Sequence, residues 1–352
     1  MKIVSKGLVG LMVLFFFSCI KKEPLCPEAD IEVFTFDAKY KVSETFIDQA
    51  NRKIALYLTD EAFKKGLAPQ ITTSKGAKLS PASGDSIHFN KNIKYTVQSE
   101  SGEYSKTYDV VVIHNISNYE FNFEKWAQNE NDKYEFPLED DGTQLWSSGN
   151  PGAAIAGVGK SPSFYPTRSV SDGYGGSKAA EMVTLKGTPI TEIIGIKLIA
   201  GSIFYGNFNS QNALVDPPSA TEFGQPFVGR ALVFKGYYKY SPGPAFQDKS
   251  GNVIPNVSDS CSIYAVLFRG SNRLNGKNIL SSDSIVAKAV LKDRSAKATF
   301  TYFEIPFEYT FNANLSGPLM LAIVASSSYK GDEYSGAVGS KLIVDQLTIT
   351  RK

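Results

Sequence analysis

The chain has 352 residues, 42% hydrophobic and 12% aromatic, with 37 basic, 35 acidic and 2 histidine side chains. A formal net charge of +2 argues against nucleic acid or another polyanion as the main ligand. Both histidines, His88 and His114, lie in the first third, so the remainder holds no Ser-His-Asp or Cys-His nucleophile system and no histidine-ligated metal centre.

The first eighteen residues, MKIVSKGLVGLMVLFFFS, set Lys2 and Lys6 before an apolar run from Leu8 to Phe17. That run is too short to span a bilayer comfortably, so residues 1–18 read as a signal peptide. The end of the segment, Phe-Phe-Ser-Cys, resembles the loose lipobox of Bacteroidetes. The resemblance implies an acylated Cys19 as lipid anchor, membrane contact through that anchor alone, and an outer-membrane lipoprotein facing the periplasm or the cell surface. Losing the segment removes two of the 37 basic residues and leaves the rest neutral. With Cys19 lipidated, Cys26 and Cys261 remain, far apart and without zinc-like spacing.

Residues 19–26 read as a linker and 27–115 as an all-β sandwich. Short alternating runs such as Ile54-Ala-Leu-Tyr-Leu and Tyr95-Thr-Val-Gln are separated by turn clusters such as Ser80-Pro-Ala-Ser-Gly-Asp. A short helix is expected at Asp60 to Lys65, and "KYTVQSESGEYSKTYDVVVI" reads as a hairpin turning at Ser101-Gly102. "GAKLSPASG" followed by that hairpin resembles the immunoglobulin-like modules preceding the working domain in many Bacteroidetes surface lipoproteins.

Asn115-Ile-Ser-Asn marks a boundary, and residues 116–352 form a second, larger all-β domain in this reading. Strands are expected at 190–199, 231–240, 262–268, 299–309, 319–325 and 341–350, with no long helical period between them. A two-sheet jelly-roll sandwich fits that pattern. Trp146 to Ala180 is dense in Gly, Ser and Pro and reads as a long loop of the kind that carries function.

"NYEFNFEKW" at 118–126, "LWSSGNPG" at 145–152, "ALVFKGYYKY" at 231–240 and the closing "SSSYKGDEYSGAVGSKLIVDQLTI" together resemble the putative carbohydrate metabolism domain of Bacteroidetes lipoproteins. The resemblance implies a jelly roll similar to carbohydrate-binding modules and a role in glycan utilisation.

Three chemistries fit this domain. Glycan binding needs aromatic rings for sugar faces and planar polar groups for hydroxyls, and the long segment offers Trp146, Asn150, Tyr165, Arg168, Asp172 and Tyr174. Glycoside hydrolysis needs two carboxylates about 5 to 9.5 Å apart. The candidates are Glu124, Glu139, Asp140, Asp141, Asp172, Glu222 and Glu304, with Glu304 and Glu308 on one strand face by spacing and Pro306 between them suggesting an edge or bulge. A purely structural role in a glycan-uptake complex, with protein partners, is the third.

Asp345 raises its own question, because period two puts it on one face with Ile343, Leu347 and Ile349. If first and last strands of the domain adjoin, Asp345 meets Glu124 or Asn122, an oxygen set suited to a structural Ca²⁺. An Asp in a terminal strand is more often satisfied by backbone N–H groups, Lys or Arg. No cofactor is required by this reading.

Other patterns carry less. "AAIAGVGKS" has Ala154 where a P-loop needs glycine, and "GGSKA" lacks the final glycine of a nucleophile elbow around Ser177. Asp85-Ser-Ile and Asp283-Ser-Ile resemble the Bacteroidetes O-glycosylation sequon, which makes Ser86 and Ser284 candidates.

Overall fold

A computed structural model describes residues 24–42, 44–89, 93–114, 118–176, 178–213, 215–311 and 313–352. The segment expected to be a signal peptide, Cys19, the expected boundary at 115–117 and Ser177 lie outside the described residues.

The first module is an immunoglobulin-like β-sandwich. Its five-stranded sheet runs in the order Phe46–Asp48, Lys53–Leu58, Ser105–His114, Ile93–Gln98, Lys78–Ser80, and a pair formed by Ile31–Thr35 and Gln70–Thr73 covers it. Strands 53–58 and 105–114 run parallel, whereas 93–98 turns back on 105–114 as the expected hairpin. Ile31, Ile54, Leu56, Tyr95 and Val97 fill the core. The helix at Asp60–Lys65 is present, capped by the Thr59 hydroxyl, which accepts from the Ala62 N–H, rather than by an aspartate.

The second module is a jelly-roll sandwich of a nine-stranded and a six-stranded sheet. A core containing Phe121, Trp146, Phe234, Tyr238, Phe303 and Leu347 lies between them. In the strand Leu319–Ser326 the odd positions Leu319, Leu321, Ile323 and Ala325 join that core. Its even positions Met320, Ala322 and Val324 are buried in a further cluster with Phe204 and Phe268 on the sheet's opposite side. The nine-stranded sheet is therefore covered on both faces, and the open face of the sandwich belongs to the six-stranded sheet.

Three expectations change. Residues 190–199 do not form one strand: Thr188 and Pro189 start a helix at Pro189–Ile193 with a capping box, and only Leu198–Ile199 is extended. The 146–180 segment is largely structured, with strands at Trp146–Ser148 and Thr167–Val170 and a helix at Asn150–Ile155. Glu304 and Glu308 end on different sheets, since Glu304 pairs across from Lys235 and Glu308 from Lys288. The chain changes sheets at Pro306-Phe307.

The modules are joined by polar contacts, from the buried Tyr57 hydroxyl to the more exposed Lys53 ammonium. Arg273 Nη2 lies 2.8 Å from Asp48 Oδ2, with both side chains less than 10% exposed. The Tyr57 hydroxyl donates to the Pro226 carbonyl at 2.9 Å, and Lys53 Nζ to the Gln144 carbonyl at 3.1 Å. Arg273 also donates from Nε to the Gly224 carbonyl. Burial raises the Asp48 carboxyl, but the Arg273 charge and hydrogen bond outweigh it and hold the group below the ordinary carboxylate value. Replacing Arg273 by Met leaves a buried carboxylate uncompensated and is expected to cost about 3 to 5 kcal/mol in urea unfolding. A loss under about 1 kcal/mol, the size of an exposed pair, would show that this contact does not hold the junction.

Candidate functional site on the open face of the six-stranded sheet

The six-stranded sheet runs Thr167–Val170, Ala179–Val183, Lys341–Arg351, Ala231–Ser241, Lys297–Pro306, with Asn118–Phe121 also paired to 341–351. The first and last strands of the domain thus adjoin, with Phe121 opposite Leu347 and Tyr119 opposite Ile349.

The last strand does not keep period two. Leu342 and Val344 point into the core, and so do Leu347 and Ile349. The phase changes at a bulge, where the register slips between Lys235↔Thr348 and Tyr237↔Asp345 and Gln346 takes a positive φ of 50°. Asp345 therefore lies on the opposite face from Leu347 and Ile349, a correction to the simple alternation. Gly236 faces the bulge, and a Cβ there would come within 2.6 Å of Leu347 Cδ2.

Asp345 is 0% exposed all the same, with the backbone of Tyr174 brought against it. Its Oδ2 accepts the Tyr174 N–H and its Oδ1 the Gln346 N–H, each at 2.7 Å. Burial pushes its carboxyl up to about 6, the two N–H donors pull the other way, and the Glu124 charge adds to the rise. Glu124 in turn accepts from the Lys178 N–H at 3.2 Å, and a side chain at Gly176 would collide with its carboxylate. Asn122 Oδ1 accepts from the Glu124 N–H at 3.3 Å. Asp345, Glu124 and Asn122 thus each accept a backbone N–H. Among the described residues no group of three or more His, Cys, Asp or Glu is placed to hold a metal.

Beside this anchor the open face carries an aromatic platform. Tyr237 lies opposite Tyr302 in the register, with ring centroids 5.3 Å apart. Tyr174 stacks on Tyr237 at 3.6 Å and 18° and meets Phe300 edge-on at 5.7 Å. Lys239 sits 4.4 Å over the Phe300 ring and pairs with Asp172. The Tyr302 hydroxyl donates to Glu304, which pushes the phenol up to about 12. Tyr174 and Tyr302 are 39% and 47% exposed. This is a set of ring faces edged by carboxylates and an ammonium group, able to stack on a sugar ring while polar groups reach its hydroxyls.

Of the six residues expected to bind glycan, the structure gathers Arg168, Asp172 and Tyr174 on this face and buries the others. Trp146 is 1% exposed and packs against Phe121, Phe123 and Tyr205 at 5.0 to 5.3 Å, so it offers no ring face to a ligand. Asn150, fully buried, straps loops together by donating to the Thr167 carbonyl at 2.7 Å and accepting the Thr167 N–H at 3.1 Å. Tyr165 is buried and donates to the Asp132 carbonyl. Arg168 is held 2.5 Å from the buried Glu181, to which Lys341 also pairs.

Tyr237, Lys239, Phe300 and Tyr302 are not singled out by the sequence reading, and Glu304 enters it as a candidate carboxylate for hydrolysis, not as part of a glycan platform. Their signal was available, because in "ALVFKGYYKY" and "FTYFE" aromatics occupy the phase opposite to the core residues Phe234, Tyr238 and Phe303 in two neighbouring strands.

Among the other carboxylates, Glu139 stands apart from its exposed neighbours Asp140 and Asp141. It lies near the Trp146 indole, and burial, followed by repulsion from Asp141, pushes it up to about 8. The run that reads as a solvated acidic turn thus has one member turned inward.

A family model described as "Putative carbohydrate metabolism domain" matches residues 122–350, and a model described as "SGBP, N-terminal" matches residues 31–112. Among solved structures, the chain is similar to one described as a putative glycoside hydrolase from Bacteroides thetaiotaomicron VPI-5482. That similarity is 31% identity over 94% of this chain and 99% of the other, with a TM-score of 0.70. A second structure, described as a putative glycoside hydrolase from Bacteroides vulgatus ATCC 8482, is 33% identical over 66% of this chain and 98% of its own, with a TM-score of 0.60. No match was found among curated proteins.

Two outcomes follow from this geometry. Trp146→Ala is expected to cost about 3 to 5 kcal/mol in denaturant unfolding through the cavity it leaves, and any ligand affinity of the fraction that remains folded should be unchanged. Asp345 has a folded pKa of about 6 against about 3.9 unfolded, so the folded state holds its proton more tightly. Its contribution is then most favourable below about pH 4 and is lost as pH rises to about 6, by up to roughly 3 kcal/mol. Urea melts across that window should show this decline in the native chain and its absence in Asp345→Asn.

Proposed function

Because the chain belongs to the putative carbohydrate metabolism domain family, we propose that it is a glycan-binding protein of the cell envelope whose open sheet face stacks on sugar rings. One observation carries the reading: Tyr237, Tyr302 and Tyr174 form a partly exposed platform on the uncovered face of the sandwich, flanked by Lys239, Asp172 and Glu304. Aromatic groups placed on the solvent side of two adjacent strands contribute nothing to the core, so their burial awaits a partner. A neutral sugar polymer suits a surface where ammonium and carboxylate groups are already paired.

The N-terminal match supports the same role, since its abbreviation denotes a surface glycan-binding protein. A lipid anchor at Cys19 would hold the chain on the outer membrane. Among the described residues no helix is long and apolar enough to cross a membrane.

A glycoside hydrolase is the competing reading, favoured by the descriptions of the two similar structures and by the neighbouring Asp345 and Glu124, one of which keeps its proton to about pH 6. Hydrolysis needs two carboxyl groups facing a shared cleft. Asp345 is wholly buried and accepts two backbone N–H bonds, which favours binding over turnover.

The deciding experiment is a screen of the soluble chain starting after Cys19 against a glycan array, with hydrolysis products followed on every glycan bound. The expected result is binding without turnover, weakened at least about tenfold, or 1.4 kcal/mol, in Tyr237→Ala while the melting curve holds. Turnover abolished by Asp345→Asn or Glu124→Gln would replace this reading with the hydrolase. Silence on every glycan would move the protein to a partner-binding role in a glycan-uptake complex.

A further inference from the structure

The junction of the two modules encloses a space separate from the open face. A cavity of about 220 Å³ lies between strands Phe46–Asp48 and Lys53–Leu58 of the first module and the 144–145 segment, Ser202–Phe208 and Gln225–Phe227 of the second. A cavity of about 150 Å³ accepts a benzene ring, so this one admits a six-membered ring with its substituents. Ligand sites favour domain interfaces, and this wall is already held in place by the Arg273–Asp48 pair and the Tyr57 hydroxyl on Pro226.

The lining has two kinds of surface. Phe46, Tyr57, Tyr205 and Pro226 supply apolar and aromatic area, and Asn51, Gln144, Asn207 and Gln225 supply planar amides. Several of these polar groups keep bonding capacity. Asn51 commits its Nδ2 to Asp48 at 2.9 Å and Asn207 its Nδ2 to Glu222 at 3.3 Å, and their Oδ1 atoms accept nothing among the described residues. Lys53 Nζ has three N–H groups and gives one to the Gln144 carbonyl. Among the described residues the Tyr205 hydroxyl has no hydrogen-bond partner either, although the residue is 3% exposed.

Charge decides the class of ligand. The lining carries one acid, Asp48, already paired with Arg273, and one base, Lys53, whose ammonium form burial disfavours. Neither an anion nor a cation gains from such a balanced site, whereas a ring with apolar C–H faces and a rim of hydroxyls matches both kinds of surface. We propose that this inter-module cavity binds a single neutral sugar ring, independently of the open face.

The test uses the soluble chain and saturation-transfer NMR with galactose, glucose, mannose and xylose as separate probes. Saturable binding of at least one sugar in the millimolar range is expected. Ala55→Phe, which fills the cavity from the strand beside Lys53, should abolish it, and Lys53→Ala should weaken it about tenfold. Tyr237→Ala should leave it unchanged, which separates this site from the open-face platform. The inference is overturned if no sugar binds, if binding survives Ala55→Phe with an unaltered melting curve, or if it is lost in Tyr237→Ala. Should Ala55→Phe fail to fold, unchanged affinity in Lys53→Ala overturns it. A chain that binds no oligosaccharide on its open face yet takes up a monosaccharide in this pattern would overturn the platform and keep the cavity.

Discussion

One extra residue in the last strand organises the rest of the C-terminal module. Without the bulge at Asp345-Gln346, the side chains on one side of it would be turned to the wrong face: either Leu342 and Val344 or Leu347 and Ile349 would leave the core. With it, both halves of the strand bury aliphatic groups, and a carboxylate is carried to the opposite side of the sheet. Among the described residues no cation pairs with that carboxylate. It is satisfied by the N–H of Tyr174 from the covering segment and of Gln346 from the bulge itself. The bulge, the buried acid and the loop that lays a tyrosine ring on Tyr237 are therefore one construction.

The covering of the two sheets explains where a site is possible at all. The strands at 262–269 and 319–326 are buried on both sides, so they read as continuous apolar runs and leave no surface to a ligand. The strands at 231–241 and 297–306 alternate instead, and their outward positions are richer in aromatics than solvent exposure alone would call for. Pro306-Phe307 ends that pattern by sending the chain to the other sheet, which is why Glu304 edges the platform and Glu308 does not.

Much of this architecture was legible in the sequence, in uneven measure. Strands expected at 231–240, 262–268, 319–325 and 341–350 follow from apolar patterning and the 93–114 hairpin from its turn, whereas the 60–65 helix forms with Thr59 and not an aspartate as its cap. The helix at 189–193 was hidden because Ile190, Ile193 and Ile194 look strand-like, and Thr188-Pro189 outweighs them locally. The site was legible only in part. Asp172, Tyr174 and Arg168 could be found from a glycine-rich segment, but the same logic selected Trp146, Asn150 and Tyr165, whose burial depends on partners far along the chain. The bulge was invisible because strict alternation was assumed through it, and a carboxylate among aliphatic neighbours was its sole trace.

The buried guanidinium at the junction also fixes how the molecule presents itself. Arg273 reaches from the large sandwich into the small one and is gripped by a carboxylate and two oxygens of the 224–225 turn. Two bodies tied in this way turn as one, so the tyrosine-bearing face keeps a set bearing relative to the first module and does not sample directions on a tether. For a protein held at a surface, that trades reach for aim: a polymer must arrive along a restricted range of angles, and once there it meets a surface whose orientational entropy has already been lost in folding.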